Sequence, residues 1–113
     1  MKLVKKSERV AKSNSDKCTV YEYLLRDKDI DGAVAEITGR EPKTGFECNK
    51  ECKELCYVIK GSGILFVKNG SVKLSEGDVV LIQPGEKYYW NGKMTLFISC
   101  NPKWNANQHV FVK

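Results

Sequence analysis

The sequence predicts an all-β domain, built either as a β-sandwich or as a closed antiparallel barrel. Short runs of β-branched and aromatic residues recur along the chain, and there is little sign of the 3.6-residue period of a helix. Glycine-containing turn signals separate these runs, among them Asn69-Gly70, Pro84-Gly85 and Asn91-Gly92. Many short strands divided by frequent turns are typical of sandwiches and barrels.

Each strand is predicted from a short run of strand formers bounded by turn residues. The first run reads TVYEYLL, and the runs LCYVI, ILFV and DVVLI follow later in the chain. The predicted strands, in order, cover residues 19–25, 33–37, 55–59, 64–67, 71–74, 78–82, 87–90, 94–100 and 110–112. Turns or loops are predicted between them at 27–32, 38–45, 60–63, 68–70, 76–77, 84–85 and 91–92.

Length and composition narrow the class of protein. The chain has 113 residues, close to the size of one domain, so two separate cores would not fit. No apolar run approaches the ~20 residues of a membrane-spanning helix. The N-terminus lacks the apolar core of a secretory signal, and the five cysteines are an odd number. We therefore expect a cytoplasmic domain with free thiols and no membrane partner.

The positive charge of the chain is concentrated at its N-terminus. Residues 1–17 hold six basic and two acidic residues, whereas residues 18–113 hold 13 basic and 12 acidic ones. A nucleic-acid-binding domain usually carries a basic face on its folded body. The sequence therefore predicts a solvated basic arm at 1–17, a barrel with a C-terminal tail at 18–113, and no nucleic-acid partner.

Two segments resemble the motifs of the cupin family. Residues 54–61 read ELCYVIKG and are followed by Gly63, which is similar to the first cupin motif. Residues 77–85 read GDVVLIQPG and are followed by EKYYW, which is similar to the second. The resemblance covers residues 35–100. It implies an antiparallel double-stranded β-helix, the jelly-roll or cupin barrel, and a homodimer.

The histidines that bind metal in typical cupins are missing from the first motif. The resemblance places the family's motif glutamate at Glu54. Depending on the register, the preceding pair of histidine positions falls on Cys48 and Lys50 or on Glu47 and Asn49. Neither register supplies the neutral imidazoles that divalent transition metals favour.

The second motif also lacks its histidine, since the matching position is Tyr88. A phenol with a pKa near 10 is a poor replacement ligand. We therefore expect no bound metal or other cofactor. A transition metal held by Cys52, Glu54 and Cys56 stays as an alternative, because strand alternation would send all three side chains to one face.

The same alternation predicts the lining of a pocket. Cys52, Glu54 and Cys56 would point into the barrel, and so would Tyr88 and Trp90 if Tyr88 takes the place of the missing histidine. A carboxylate with aromatic walls suits a small polar ligand. The candidate pocket residues are Asn49, Cys52, Glu54, Cys56, Tyr88 and Trp90. The alternative is that the aromatic side chains fill a solid core.

The C-terminal tail contains the only histidine of the chain. Pro102 is expected to end a strand, and Trp104 to cover one barrel end or join a dimer contact. His109 lies outside both motifs and is expected to be a hydrogen-bonded or exposed residue.

Three classes of function remain open from the sequence. The favoured one is a metal-free module that binds a small polar molecule in the barrel. The second is a cupin enzyme, either isomerase- or epimerase-like with Glu54 as the base, or dependent on an atypical metal site. The third is a structural or regulatory β-barrel dimer with a packed interior.

Overall fold

The computed structural model describes residues 1–113 and confirms the all-β, antiparallel barrel class. Two three-residue 3₁₀ helices, Lys6–Glu8 and Ala106–Gln108, are the only helical segments, and neither is long or apolar enough to cross a membrane. The nine strands are β1 Val10–Ser15, β2 Cys18–Tyr23, β3 Gly32–Glu41, β4 Phe46–Asn49, β5 Lys53–Val67, β6 Gly70–Ser75, β7 Val79–Ile82, β8 Lys87–Asn101 and β9 His109–Val112.

Strand β8 is the centre of a single curled sheet. One edge of β8 pairs with β5 along most of its length, and the other edge pairs with β3 and then with β4. Beyond β3 the sheet continues to β2 and then β1, and beyond β4 it continues to β9. The hairpin strand β6 and the short strand β7 extend it from β5. All pairings are antiparallel, as the resemblance implies.

Strand alternation along β5 separates a buried face from an exposed one. The exposed fractions of Cys52, Glu54, Cys56 and Val58 are 0%, 7%, 0% and 0%. The residues between them are exposed. The predicted inward face of this segment is therefore confirmed. Cys56 and Val58 of this face pack in one core cluster with Tyr88 and with apolar residues of β3 and β8.

Two predicted turns are wrong, because residues 60–63 and 91–92 lie inside the long strands β5 and β8. Here Gly63 pairs directly with Gly92. A Cβ added to Gly92 would lie 2.5 Å from the Gly63 Cα, and one added to Gly61 would lie 2.2 Å from the Lys93 carbonyl oxygen. These glycines let two strand backbones approach each other closely. From the local sequence alone, a glycine that serves such an approach looks the same as a glycine in a turn.

Two strands were not predicted from the sequence. Strand β4 lies in a polar, cysteine-containing stretch without the usual strand composition. Strand β1 lies in the basic arm and is almost wholly exposed, but it pairs with β2 along its length. The predicted boundary between residues 17 and 18 falls where the turn between β1 and β2 ends. The arm therefore contributes an edge strand to the sheet.

Candidate functional site

A cavity of about 640 Å³ lies between the inner face of the sheet and the C-terminal tail. Strands β1, β2 and β3 form one wall, and the tail forms another. Its volume falls in the usual range for sites that bind small molecules. The polar and aromatic residues that line it most deeply are Glu41, Glu47, Glu54, Trp90, Trp104 and His109.

Tyr88 connects two of the carboxylates. Its hydroxyl lies 3.2 Å from Glu47 Oε1 and 3.5 Å from Glu54 Oε1. The phenol has one proton, so it donates to one of these oxygens at a time. The Asn49 amide donates to Glu54 Oε1 at 3.2 Å, and Gln108 in turn donates to Asn49 Oδ1 at 2.9 Å. The carboxylates are thus held by a buried hydrogen-bond network rather than by cations.

The structure decides between the two registers that the first motif left open. Glu47 and Asn49 share one face of β4 and both join the network around Glu54 and Tyr88. Cys48 is buried on the opposite face, and Lys50 is exposed. The positions that hold a histidine pair in typical cupins therefore correspond to Glu47 and Asn49 here.

His109 belongs to the site, although it lies outside both motifs and no sequence pattern places it beside Glu47. Strand β9 pairs with β4, and this register puts His109 opposite Asn49. The His109 Nε2 atom lies 2.9 Å from Glu47 Oε1. The ring is packed between Trp104 and Phe111, at centroid distances of 5.5 and 4.9 Å. Only the tertiary pairing of β4 with β9 could have identified this contact.

The site favours neutral forms of its buried acidic groups. Burial raises the pKa of Glu54 to about 7, with the negative charge of Glu47 as the second cause and the Asn49 and Cys56 hydrogen bonds opposing it. Burial also raises the pKa of Glu41, against a hydrogen bond from the Ser15 hydroxyl. Near neutral pH, Glu54 can therefore exchange a proton, which is a property of groups at functional sites.

Tyr88 stays protonated in this environment. Burial raises its pKa well above the usual value, and the charges of Glu54 and Glu47 raise it further. The phenol therefore serves as a hydrogen-bond donor to the carboxylates. Its ring also packs edge-on against Trp90, with centroids 6.1 Å apart.

The cysteines around Glu54 are free thiols. Cys56 Sγ donates to Glu54 Oε2 at 3.5 Å, and Cys100 Sγ lies 3.9 Å from Glu54 Oε1. Burial raises the pKa of Cys52 to about 11, and it also raises the pKa values of Cys56 and Cys100. These thiols are therefore protonated near neutral pH.

The donor set does not fit the metal that typical cupins carry. The chain has a single imidazole, His109, which lies outside the motif positions, and Glu54 is already engaged by amide, thiol and phenol donors. No three His, Cys, Asp or Glu side chains gather closely enough to hold an ion. The residues present thus suit hydrogen bonding and proton transfer better than metal coordination.

The predicted site residues divide into two layers. Glu54 and Trp90 line the cavity. Asn49, Cys52, Cys56 and Tyr88 lie behind this lining, where they are at most 1% exposed. A direct ligand-binding role for these four residues stays a prediction. In the structure, Asn49, Cys56 and Tyr88 are hydrogen-bonded to Glu54 of the lining. Glu47, His109, Trp104 and Glu41 are lining residues that the sequence did not put forward as pocket candidates.

Comparisons with known proteins agree with this architecture. The profile of the EutQ-like cupin domain matches residues 31–113. No curated protein sequence matches the chain. Among solved structures, Streptomyces Pac13, described as a nucleoside dehydratase, superposes with a TM-score of 0.89 at 15% identity, covering 98% of this chain and 90% of Pac13. Pac13 variants of a histidine or a tyrosine were solved with uridine.

Two further structures are similar in fold. KdgF from a Halomonas species superposes with a TM-score of 0.75 at 11% identity, covering 90% of this chain and 95% of KdgF. Ectoine synthase from P. lautus superposes with a TM-score of 0.69 at 17% identity, covering 89% of this chain and 80% of that protein. At these identities the likeness establishes the barrel architecture.

Proposed function

Because the chain belongs to the EutQ-like cupin domain family, we propose that its barrel cavity binds a small polar molecule. The observation that carries this proposal is the convergence of Glu41, Glu47 and Glu54 with Trp90 and His109 on one cavity of about 640 Å³. A packed structural barrel would have no such space beside its polar residues. The arrangement combines a few directed polar groups with apolar walls, as ligand sites do.

The chemistry of the lining favours a ring that carries hydroxyl or N–H groups. Carboxylates accept hydrogen bonds from such groups, and the neutral form of Glu54 can also donate one. The indoles of Trp90 and Trp104 offer faces for a sugar or a planar base. The similarity in fold to Pac13, whose structures include uridine, makes a nucleoside a suitable first probe.

A second candidate function is acid–base catalysis on the same ligand. The pairing of His109 Nε2 with Glu47 Oε1 at 2.9 Å supports it. If the Nε2 proton is donated to Glu47, the lone pair on Nδ1 is free to accept a proton from a substrate carbon. Glu54 in its neutral form could then protonate a departing hydroxyl. Isomerisation or loss of water needs only these two proton transfers and no redox partner.

Glu47→Gln should weaken uridine binding about tenfold or more, because a hydrogen bond to a charged group contributes roughly 1.5–3 kcal/mol. The measurement is isothermal titration of wild type and variant with uridine. Glu76→Gln, in an exposed turn, is the matched control and should bind as wild type does. Equal affinities of wild type and Glu47→Gln, or no heat of binding from wild type, would contradict the proposal for this probe.

Mass spectrometry of the incubated nucleoside tests the second candidate function, since dehydration removes the mass of one water from the nucleoside.

We also propose that a second copy of the chain covers the outer face of β5, β7 and β8. Six large apolar side chains there are 42–59% exposed: Leu55, Tyr57, Ile59, Val79, Leu81 and Phe97. The strand registers place them side by side, with Leu55 opposite Leu81 and Tyr57 between Val79 and Phe97. Contiguous apolar patches mark interaction sites, and an uncharged patch can complement itself across a two-fold axis.

Tyr57→Glu should convert the proposed dimer to a monomer, with a dissociation constant raised by about 100-fold or more, because it would bury an unpaired charge in the interface. Sedimentation equilibrium measures this. Leu3→Glu, at an exposed residue far from the patch in sequence, is the control and should leave the dimer intact. A monomeric wild type at high protein concentration would rule the interface out.

The proposed location is the cytoplasm. All five cysteines are free and buried. Free thiols persist in reducing compartments, whereas exported proteins commonly pair them.

A further inference from the structure

The cavity is acidic at its inner end and carries cations at its mouth. Glu41 and Glu54 at the inner end are 5% and 7% exposed. The cations Lys12, Arg26 and Lys103 line the same cavity but are exposed, so they lie at its solvent end. An anionic group deep in the cavity would face the buried carboxylates, whereas the same group at the mouth would meet three cations, with three acidic residues also in the outer lining.

The mouth cations are free to bind. No lysine or arginine nitrogen in the chain lies within 4.0 Å of a carboxylate oxygen, so the three mouth cations have no ion-pair partner. Two carboxylates nearby are already engaged by the backbone. Asp27 accepts from the Asp29 and Ile30 amides, and Asp31 accepts from the Cys100 and Trp104 amides. Glu22 is the remaining acidic residue of the outer wall.

Lys12 and the Arg26 backbone each have a distinctive local environment. The Lys12 ammonium lies 5.1 Å from the ring centroid of Trp104, which is a cation–π contact across the mouth. Arg26 has a φ of 56° and is the one non-glycine residue of the chain in the left-handed region. Such a conformation is unfavourable for arginine and tends to occur where a site requires it. The Lys2 ammonium donates to the Arg26 carbonyl at 2.7 Å, which ties the N-terminus to this loop.

We propose that the mouth binds the phosphate of a phosphorylated ring compound, such as a nucleoside or sugar monophosphate, whose ring occupies the inner cavity. This inference rests on the proposed function and names its ligand class. Arginine binds phosphate through a planar fork and lysine binds it as a point charge. The inner carboxylates set the orientation, because they repel the phosphate and accept hydrogen bonds from ring hydroxyls. The basic N-terminal arm is then part of the site through Lys12.

The test compares uridine with uridine 5′-monophosphate by isothermal titration at constant ionic strength, because salt screens charges at the mouth. Wild type should bind the monophosphate about tenfold or more tightly than uridine. In the double variant Lys12→Gln/Arg26→Gln the ratio of the two affinities should fall to nearly one, whatever change the variant makes in the affinity for uridine. The control Lys60→Gln/Lys68→Gln removes two exposed lysines outside the cavity lining and should keep the wild-type ratio.

The outcomes separate this inference from the proposed function. If wild type binds uridine and its monophosphate with equal affinity, the inference is overturned and the proposed function stands. The same holds if the control variant loses as much of the preference for the monophosphate as the double variant does. If neither nucleoside compound binds, a titration with inorganic phosphate decides the inference. Saturable NMR shifts at Lys12, Arg26 and Lys103 in wild type, together with loss of the Lys103 shift in the double variant, support the phosphate site, and the absence of these shifts in wild type overturns it.

Discussion

Gly61→Ala should lower the free energy of unfolding by about 3 kcal/mol or more, measured by urea denaturation. Two effects add at this position. Its φ of 85° lies in a region that alanine rarely adopts, and an added Cβ would lie 2.2 Å from the Lys93 carbonyl oxygen and 2.9 Å from the Met94 Cα. The obstacle is backbone on the neighbouring strand, so relief requires β5 and β8 to separate and to lose part of their pairing.

Two other glycines separate these effects. Gly77 has a φ of 88° with nothing within 4 Å of the added Cβ, so Gly77→Ala should cost only about 1 kcal/mol. Gly70 has neither feature, and Gly70→Ala should change stability by less than about 0.5 kcal/mol. If Gly61→Ala costs no more than Gly77→Ala, the close approach of the two strands is not a constraint on the fold.

Glu54→Gln should remove a pH dependence of stability that wild type shows between about pH 4.5 and pH 7. The pKa of Glu54 is raised to about 7 from 4.5, so the folded state holds the proton more tightly than the unfolded chain does. The resulting stabilisation is complete below about pH 4.5 and is lost as pH rises through about 7. Its size is roughly 3 kcal/mol, from 1.36 kcal/mol per unit of pKa.

Urea unfolding at several pH values from 5 to 8 measures this effect. Glutamine has the shape of the neutral acid, so the variant should match wild type at low pH and be more stable at pH 8. The titratable groups that face Glu54 are Glu47, Cys56, Tyr88, Cys100 and His109, and all remain in the variant. The difference between the two proteins therefore isolates Glu54. Parallel stability curves would mean that Glu54 ionises as an exposed glutamate does.

Some residues that line the cavity can be predicted from the sequence, and others cannot. Glu54 and Trp90 are found by period-two alternation from motif positions, and both line the cavity. His109 lies far along the chain from Glu47, in a tail with no motif. Its 2.9 Å contact exists only because β9 pairs with β4. Sequence periodicity describes which face a residue occupies, but it carries no information on which strand will be its neighbour.

The mispredicted turns have a similar physical origin. Asn91-Gly92 is a strong local signal for a two-residue turn. In the folded chain Gly92 instead allows β8 to approach Gly63 of β5. A glycine needed for a close backbone contact and a glycine needed for a turn look the same in the amino-acid sequence. The difference depends on a partner residue that lies elsewhere in the chain.

Local features of the sequence predict the all-β class, the inward face of β5 and the absence of the imidazoles that a typical cupin metal site uses, and the motif resemblance implies the barrel. These properties depend on local alternation, turn composition and residue identity. The folded chain is needed to show that Glu47 and Asn49 occupy the histidine positions, that His109 joins them, and that the basic arm reaches the cavity mouth. Those properties depend on strand pairing over long sequence separations, where register is set by the packing of the whole sheet.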